Sequence, residues 1–173
     1  MKKDVIALVA GLIVILLLGG VIIYQAEIFG VSEGRLVADA RNEQKISKDW
    51  DVKQSKNDEM CAMIFYDARK ENYSYSVYLK NDGMSFGYFY REGGQNPYIE
   101  EGVQGIFFED KGIALLSMNE EKVARVVVEN GADKKAIPVD PEAPFALVFP
   151  PESNAITLYD SDDNVITLYD KYS

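Results

Sequence analysis

The amino-acid sequence predicts an all-β domain behind a single N-terminal transmembrane helix. We expect an antiparallel β-sandwich or small barrel of about eight to ten short strands. Two observations lead to this prediction. An uncharged, mostly apolar run extends from Val5 to Tyr24, and from Trp50 onward apolar residues recur with a period of two between frequent turn residues. No stretch between the strands has the long helical pattern that a parallel sheet requires.

The N-terminal run is long enough to cross a membrane as a helix. At about 1.5 Å per residue, residues 5–24 span about 30 Å, which is the thickness of the hydrocarbon core of a bilayer. Lys2 and Lys3 precede the run, so we expect a cytoplasmic N-terminus and an extracytoplasmic C-terminus. A cleaved signal peptide is the alternative. Its apolar region is normally about 7–15 residues long, and cleavage after Ala26 would place Tyr24 where a small residue belongs.

The chain is predicted to contain three segments. They are a cytoplasmic stub and transmembrane helix at 1–24, a juxtamembrane tether or short helix at 25–47, and an extracytoplasmic β domain at 48–173. In the second segment Leu36, Val37 and Ala40 fall at helical spacing, and Ser32 is a candidate cap for a helix that runs to about Gln44.

Charge and cysteine content limit the class of partner and the interactions that can stabilise the fold. The chain has 18 basic and 28 acidic residues, a net charge of −10. An acidic surface repels phosphate backbones, which argues against a nucleic-acid partner, although solubility alone explains such a charge. A single cysteine, Cys61, allows no internal disulfide, so the fold depends on its apolar core.

The strongest hairpin signal lies between residues 73 and 91. In NYSYSVYLK, Tyr73, Tyr75, Val77 and Leu79 share one face, which predicts a strand with one buried side. NDG at 81–83 predicts a tight turn, and MSFGYFYR then predicts the second strand.

Further strands are predicted along the rest of the chain. MCAMIFYD at 60–67 is continuously apolar, as a central strand is. GIFFED and GIALLSM flank a turn at 110–112, and KVARVVVE and KKAIPVD flank NGAD. Pro138 lacks a backbone donor, so its strand should lie at a sheet edge or end there. Two prolines should end the strand PFALVF.

The pentapeptide ITLYD occurs twice between residues 156 and 170. A loop of odd length centred on Asp162 pairs Leu158 with Ile166 and Ile156 with Leu168. All four apolar side chains then share one face, and because a one-residue slip would reverse every face, burial should select this register. Asp163 or Asn164 can supply the left-handed conformation that such a loop requires.

The same loop resembles the start of a calcium-binding loop. Asp160, Asp162 and Asn164 match the first three ligand positions of an EF-hand. However, Val165 stands where the loop needs glycine, and Lys171 stands where it needs a bidentate glutamate. These three residues are therefore weak metal candidates, and we expect no metal and no cofactor.

The chain contains no histidine, which removes the usual catalytic base near neutral pH. Cys61 lies among apolar residues and is predicted to be buried in the core. Ser117 and Lys122 superficially match a Ser-Lys nucleophile pair, but the proline expected after the serine box is absent. We therefore expect a protein that is not an enzyme.

A tyrosine-rich stretch is the candidate binding region. Seven of the 11 tyrosines lie between Tyr66 and Tyr98, followed by an irregular loop at about 92–105. Tyrosine is enriched at interfaces, and an arginine beside it can bind a carboxylate or stack on a ring. The candidates are Tyr88, Tyr90, Arg91 and Tyr98. The alternative is that the tyrosines of the two strands only fill the core.

These observations predict a single-pass bacterial membrane protein whose β domain binds or assists a membrane or cell-envelope partner. The bilayer holds residues 5–24. Ala7 and Gly11 form a small-residue pair that would permit helix dimerisation, although such pairs arise often by chance in apolar runs. Two alternatives stay open, which are a histidine-free cell-envelope hydrolase and a calcium-dependent adhesion module.

Overall fold

The computed structural model describes residues 11, 13–18, 20 and 29–172, apart from 84, 132 and 154. Residues 11, 13–18 and 20 are helical and exposed. Within the described part of the chain, no helix has both the length and the apolarity needed to cross a bilayer. Most of the predicted transmembrane segment at 5–24 lies outside the described residues, as do the stub at 1–4 and Ala7.

The domain is mostly β, as the sequence predicts, but the described residues form twelve strands rather than eight to ten. The strands are β1 (Asp51–Lys56), β2 (Met60–Tyr66), β3 (Tyr73–Leu79), β4 (Phe89–Gly94), β5 (Val103–Phe108), β6 (Gly112–Ser117), β7 (Arg125–Asn130), β8 (Asp133–Pro138), β9 (Phe145–Phe149), β10 (Ala155–Tyr159), β11 (Val165–Ile166) and β12 (Leu168–Tyr172). The helices are a 3-10 turn at Glu33–Arg35, α1 (Leu36–Gln44) and α2 (Pro97–Glu101).

The strands form three four-stranded sheets. The first sheet has the order β1-β2-β3-β4 and is antiparallel throughout. The second sheet has the order β12-β5-β6-β9, in which β12 runs parallel to β5 and the other pairs are antiparallel. The third sheet has the order β11-β10-β7-β8 and is antiparallel.

Three apolar clusters join these elements into layers. The first lies between the first and second sheets and includes Met60, Ile64 and Leu116. The second lies between the second and third sheets and includes Leu115 and Leu158. The third lies between α1 and the outer face of the first sheet and is built from Leu36, Ala40, Cys61, Met63, Phe65, Tyr78 and Tyr88. The first and second sheets are therefore covered on both faces.

Coverage on both faces explains the continuously apolar sequence of β2. Every residue from Met60 to Tyr66 is buried, because even-numbered side chains enter the first cluster and odd-numbered side chains enter the third. The prediction that 60–67 forms a central strand is confirmed. A strand covered on one side only would have alternated apolar with polar residues.

Strand β3 differs from its prediction on one point. Tyr73, Tyr75, Val77 and Leu79 share a buried face as predicted, but the opposite face is buried as well. Helix α1 covers it, and Gln44 at the end of that helix supplies the polar contacts. Its Nε2 donates to the main-chain oxygen of Tyr75 at 2.7 Å and to the Ser76 hydroxyl, while its Oε1 accepts from the Ser74 hydroxyl. The polar face of β3 thus meets a polar partner.

The close approach of α1 also depends on Gly93 in β4. A Cβ at this position would lie 2.3 Å from Nε2 of Gln44 and 2.4 Å from the main-chain oxygen of Tyr75. Because both contacts are far below van der Waals distance, any side chain here would displace the glutamine. Glycine is required by space rather than by backbone conformation.

Strands β3 and β4 pair antiparallel, as predicted, but the prediction of a tight turn between them is wrong. β3 ends at Leu79 and β4 begins at Phe89, so nine residues connect them. Gly83 does adopt a positive φ of 80°. Part of the connection is occupied by a bridge between residues 29–31 and 86–88, which the sequence pattern does not show.

The other hairpins follow the sequence closely. β5 pairs with β6 across residues 109–111, and β7 pairs with β8 from Asn130 opposite Asp133. β8 is the last strand of its sheet and ends at Pro138, as the missing proline donor predicts. β9 ends before the two prolines. α1 ends at Gln44, although Ser32 makes no side-chain capping bond at the start of the preceding turn.

The C-terminal repeat begins as a hairpin in the third sheet, but its second copy then crosses over to the second sheet. Leu158 pairs with Ile166, and Asp163 is left-handed with a φ of 64°, as predicted. The predicted pair of Ile156 with Leu168 is wrong, because the chain leaves the third sheet at Thr167 and adds β12 to the second. The four apolar residues still pack into one cluster. Burial set the face of each side chain, but it did not require both copies to stay in one sheet.

Replacing Gln44 tests the polar contact between α1 and β3. We expect Gln44→Ala to lower the free energy of unfolding by about 1–3 kcal/mol, since it leaves buried hydroxyls and a carbonyl without their partner. Urea unfolding of the full chain in detergent, followed by the fluorescence of Trp50, measures the change. Glu43→Ala changes an exposed neighbour in the same helix and is the control. Equal midpoints for the two variants would contradict the role given to Gln44.

Candidate binding surface

The four residues that the sequence singles out lie in two different places. The Tyr88 side chain is buried in the third cluster, and its hydroxyl donates to the main-chain oxygen of Asn57 at 2.9 Å. Tyr90 is part-exposed and packs edge to face on Tyr78, while Arg91 donates to Asn81. Tyr98 belongs to another region, where it stacks on β12 of the second sheet.

The irregular loop predicted at about 92–105 contains α2 and is held in place by polar contacts. The Asn96 side chain caps α2 by accepting from the Tyr98 amide at 3.0 Å. The Tyr73 hydroxyl donates to the main-chain oxygen of Asn96 at 2.5 Å and accepts from its amide at 2.8 Å. Ile99 is fully buried below the helix. With this anchoring, the loop presents the Tyr98 ring in one fixed position.

Tyr98 forms a stacked pair with Tyr169 of β12. The ring centroids are 4.8 Å apart, the planes are inclined by 25°, and the two residues are 51% and 40% exposed. Gly102 makes room for the pair, because a Cβ there would lie 2.8 Å from the Tyr169 ring. The side chain of Gln104 holds the same strand by donating to the main-chain oxygen of Tyr169 at 2.5 Å. We call this stack the Tyr98–Tyr169 pair.

The opposite face of β12 carries a second stacked pair. Phe107 of β5 and Tyr172 lie with centroids 5.0 Å apart and planes inclined by 24°, and Tyr172 is 78% exposed. The pair borders an apolar cavity of about 380 Å³, which is also lined by Phe108, Ile113 and Pro151. Both faces of one strand therefore offer aromatic surface to solvent.

The outer edge of β12 is open within the described part of the chain. β12 is the terminal strand of the second sheet, and no other described strand pairs with its outer side. Lys171 ties it to the first sheet, since its Nζ lies 2.7 Å from Oε2 of Glu92. The other oxygen of Glu92 accepts from the Tyr75 hydroxyl at 2.9 Å. β12 is thus an edge strand in a fixed position.

The surroundings of this edge are acidic. Glu100 and Glu101 in α2 and Asp170 in β12 are exposed, and each is close in sequence to one of the stacked tyrosines. Exposed carboxylates beside an open strand favour a cationic partner. Charged residues in and beside an edge strand also discourage it from pairing with a second copy of itself.

The residues considered for catalysis are occupied elsewhere. Cys61 is fully buried, as predicted, and burial raises the pKa of its thiol. The buried Ser117 hydroxyl donates to the main-chain oxygen of Gly102 and accepts from the Asn119 amide at 2.8 Å. Lys122 pairs instead with Glu142 at 3.0 Å. The Ser-Lys match in the sequence therefore does not form a nucleophile pair.

The calcium candidates are used to build the turn. Oδ1 of Asp160 accepts from the amides of Asp162 and Asn164, and its Oδ2 accepts from the Asn164 side chain, all at 2.8 Å. These bonds, first among them that from the Asn164 side chain, lower the pKa of Asp160. Among the described residues, no group of three or more histidine, cysteine or acidic side chains is placed to hold a metal ion.

Comparisons with known proteins place the chain in no family. No protein-family model, no curated protein and no solved structure matches it. The open edge of β12 and its two aromatic pairs are therefore the features from which a function can be inferred.

Sequence reasoning located Tyr98 and missed the other half of the surface. Tyr169 lies in the second copy of the repeat and Tyr172 lies just after it. The sequence pattern predicts that this copy is a hairpin strand paired with the first copy. The available signal was that Tyr169 and Tyr172, three positions apart, lie on opposite faces of a strand. Each face also carries a charged residue, Lys171 or Asp170, as expected for a strand with two exposed faces. The crossover to β5 was not visible in that pattern.

Buried tyrosines should make stability fall at high pH. Burial, reinforced by Glu92, raises the pKa of Tyr75 above its ordinary 10.0, and burial with Asp39 does the same for Tyr78. Above pH 10 the unfolded chain loses these protons while the folded chain keeps them, so stability decreases by up to about 1.4 kcal/mol per pH unit for each tyrosine. Urea midpoints from pH 8 to 11 measure the slope. Tyr75→Phe should flatten it, and an unchanged slope would contradict the assignment.

The Asp160 turn should not respond to calcium. Because the carboxylate already accepts three hydrogen bonds, we expect millimolar calcium to leave the melting temperature of the full chain unchanged. Asp160→Ala should lower that temperature with or without calcium, since the turn loses its acceptor. A rise of about 2 °C or more with calcium that disappears in the variant would show a metal site instead.

Proposed function

We propose that this chain is a membrane-anchored binding module that takes an extended segment of a protein partner as an additional strand on β12. Residues 5–24 form the transmembrane anchor, and the β-sandwich made by the three sheets lies outside the cytoplasm. The observation that carries the proposal is the open, acidic edge of β12 with a stacked aromatic pair on each face.

The anchor is supported by the composition of the N-terminal run. Its length matches a bilayer core, and Lys2 and Lys3 precede it. The partner is accordingly a membrane or cell-envelope protein with an accessible extended segment.

Strand addition fits the geometry of β12. An added strand gains affinity from main-chain hydrogen bonds along the edge, and it gains specificity from pockets that receive alternate side chains. Side chains on one face of the added strand would lie near the Tyr98–Tyr169 pair. Those on the other face would lie near Tyr172 and the apolar cavity beside it. Aromatic surface on both sides suits apolar side chains at successive positions.

The local charge defines the chemistry of the partner segment. Glu100, Glu101 and Asp170 favour a segment that also carries lysine or arginine. Exposed charges of this kind are screened by salt, with a Debye length of about 10 Å at 0.1 M ionic strength. Association should accordingly slow as ionic strength rises.

Binding rather than catalysis is supported by the chemistry available. Tyrosine rings, carboxylates and an open backbone recognise a partner without activating a nucleophile. Ser117 and Cys61 are buried in the described structure, and the Asp160 carboxylate accepts hydrogen bonds within its own turn.

Site-specific photo-cross-linking in native membranes tests the proposal. A benzophenone amino acid at position 169 or 172 of the full chain should give a discrete adduct, whose partner peptide mass spectrometry identifies. The same group at Lys135, which is exposed on the edge strand β8, is the control. Asp170→Lys should reduce the adduct about tenfold because it reverses a charge beside the edge.

Two results would contradict the proposal. One is that positions 169 and 172 yield no more adduct than position 135. The other is a cross-linked peptide without basic residues whose yield is insensitive to Asp170→Lys. If the protein were recovered from the soluble fraction of its native host, the anchor itself would be wrong.

A further inference from the structure

An exposed aromatic pair lies close in sequence to the proposed anchor. Phe29 and Phe86 stack with ring centroids 5.9 Å apart and planes inclined by 20°, yet they remain 70% and 61% exposed. Two phenylalanines that contact each other while both face solvent form an apolar patch rather than a core. We call it the Phe29–Phe86 patch.

The patch is held by a short backbone bridge. The Gly30 amide donates to the main-chain oxygen of Phe86 at 2.7 Å. Val31 and Tyr88 exchange two further bonds, in which the Val31 amide donates at 2.7 Å and the Tyr88 amide at 2.8 Å. The juxtamembrane chain is therefore fastened to the β domain at the point where both rings emerge.

Two glycines permit this close approach. A Cβ on Gly30 would lie 2.6 Å from the main-chain oxygen of Tyr88. Gly87 has a φ of 93°, and a Cβ there would lie 2.7 Å from the main-chain oxygen of Val31. The bridge thus positions the two rings side by side through backbone contacts that larger residues would prevent.

The length of chain from the anchor brings the patch within reach of the bilayer surface. Four residues lie between Tyr24, the last residue of the apolar run, and Phe29. Even fully extended, the five Cα–Cα steps from Tyr24 to Phe29 span no more than about 18 Å. The headgroup region on each side of the hydrocarbon core is about 5–7 Å deep, so Phe29 can reach it through a modestly extended connection.

Two cations, Lys80 and Arg91, make contacts with the segments next to Phe86. The Nζ of Lys80 lies 5.2 Å from the centroid of the Tyr88 ring, next to the bridge. Arg91 donates to the side chain of Asn81, and the main-chain oxygen of Asn81 accepts from the Ser85 hydroxyl at 2.8 Å. Aromatic side chains settle at the headgroup level of a membrane, and a lysine or arginine beside them can reach individual lipid phosphates.

We infer that the Phe29–Phe86 patch inserts into the headgroup region of the lipid bilayer and fixes the orientation of the β domain on the membrane. This inference rests on the proposed anchor at residues 5–24. Because the rings come from two distant parts of the chain, their insertion would attach the β domain at a second point and restrict its rotation about the connection.

Fluorescence quenching by brominated lipids tests the inference. The full chain carrying Trp50→Phe and Phe86→Trp is reconstituted into vesicles of phosphatidylcholine and phosphatidylglycerol. We expect bromine near the headgroup end of the acyl chains to remove at least about half of the emission of the new tryptophan. The matched control carries Trp50→Phe and Tyr172→Trp, which places the reporter on β12, and its emission should be unaffected.

The outcomes distinguish failure of the inference about the patch from failure of the proposed anchor. Equal, weak quenching at positions 86 and 172 in protein that floats with the vesicles would overturn the inference and leave the anchor intact. Protein that fails to float would overturn both. Phe29→Trp in the Trp50→Phe background is an independent reporter that should be quenched like position 86. If position 29 alone were quenched, only the tether would contact lipid, and the inference would again be wrong.

Discussion

Coverage of two sheets on both faces is the constraint on which this structure depends. The first sheet lies between α1 and the second sheet, and the second sheet lies between the first and third. Apolar side chains fill these layers without difficulty, but each polar side chain within them needs a partner, since an unsatisfied buried group costs about 1–3 kcal/mol. Gln44 meets this need for the serines of β3. Other buried polar side chains bond to main-chain oxygens, and these contacts hold the loops around α2 and after β6. They are Gln104, Ser117 and Asn119.

The same constraint determines which surfaces of the sheets stay accessible. When both faces of the central sheets are covered, their edges and the loops at their ends remain accessible. β8 has exposed lysines along an edge of the third sheet, a feature that discourages strand addition. β12 is different, because its exposed aromatic pairs offer apolar contact on both faces while Lys171 holds the strand against the first sheet. The edge therefore combines a contact to the first sheet with exposed aromatic surface on both faces.

The segment at 29–44, which follows the predicted transmembrane run, packs on the first sheet of the β domain. Residues 29–31 pair with 86–88, and α1 follows directly and packs on the outer face of the first sheet. A flexible tether would leave the orientation of the β domain free. Here residues 29–31 and α1 are bound to the first sheet, so this segment and β12 belong to one packed domain.

The sequence by itself determined the β class, the hairpins at 109–111 and 130–133, the buried strand β2 and the face of each apolar residue in the ITLYD repeat. These features follow from local rules, because turn residues, proline and alternating hydrophobicity act over a few positions. The tertiary structure decided the rest. Nothing local distinguishes a serine that faces water from one that faces Gln44, and nothing local sends the second ITLYD to β5 instead of β10. Tyr98 meets Tyr169 only because that crossover occurs, so the candidate surface could not be assembled from sequence periodicity alone.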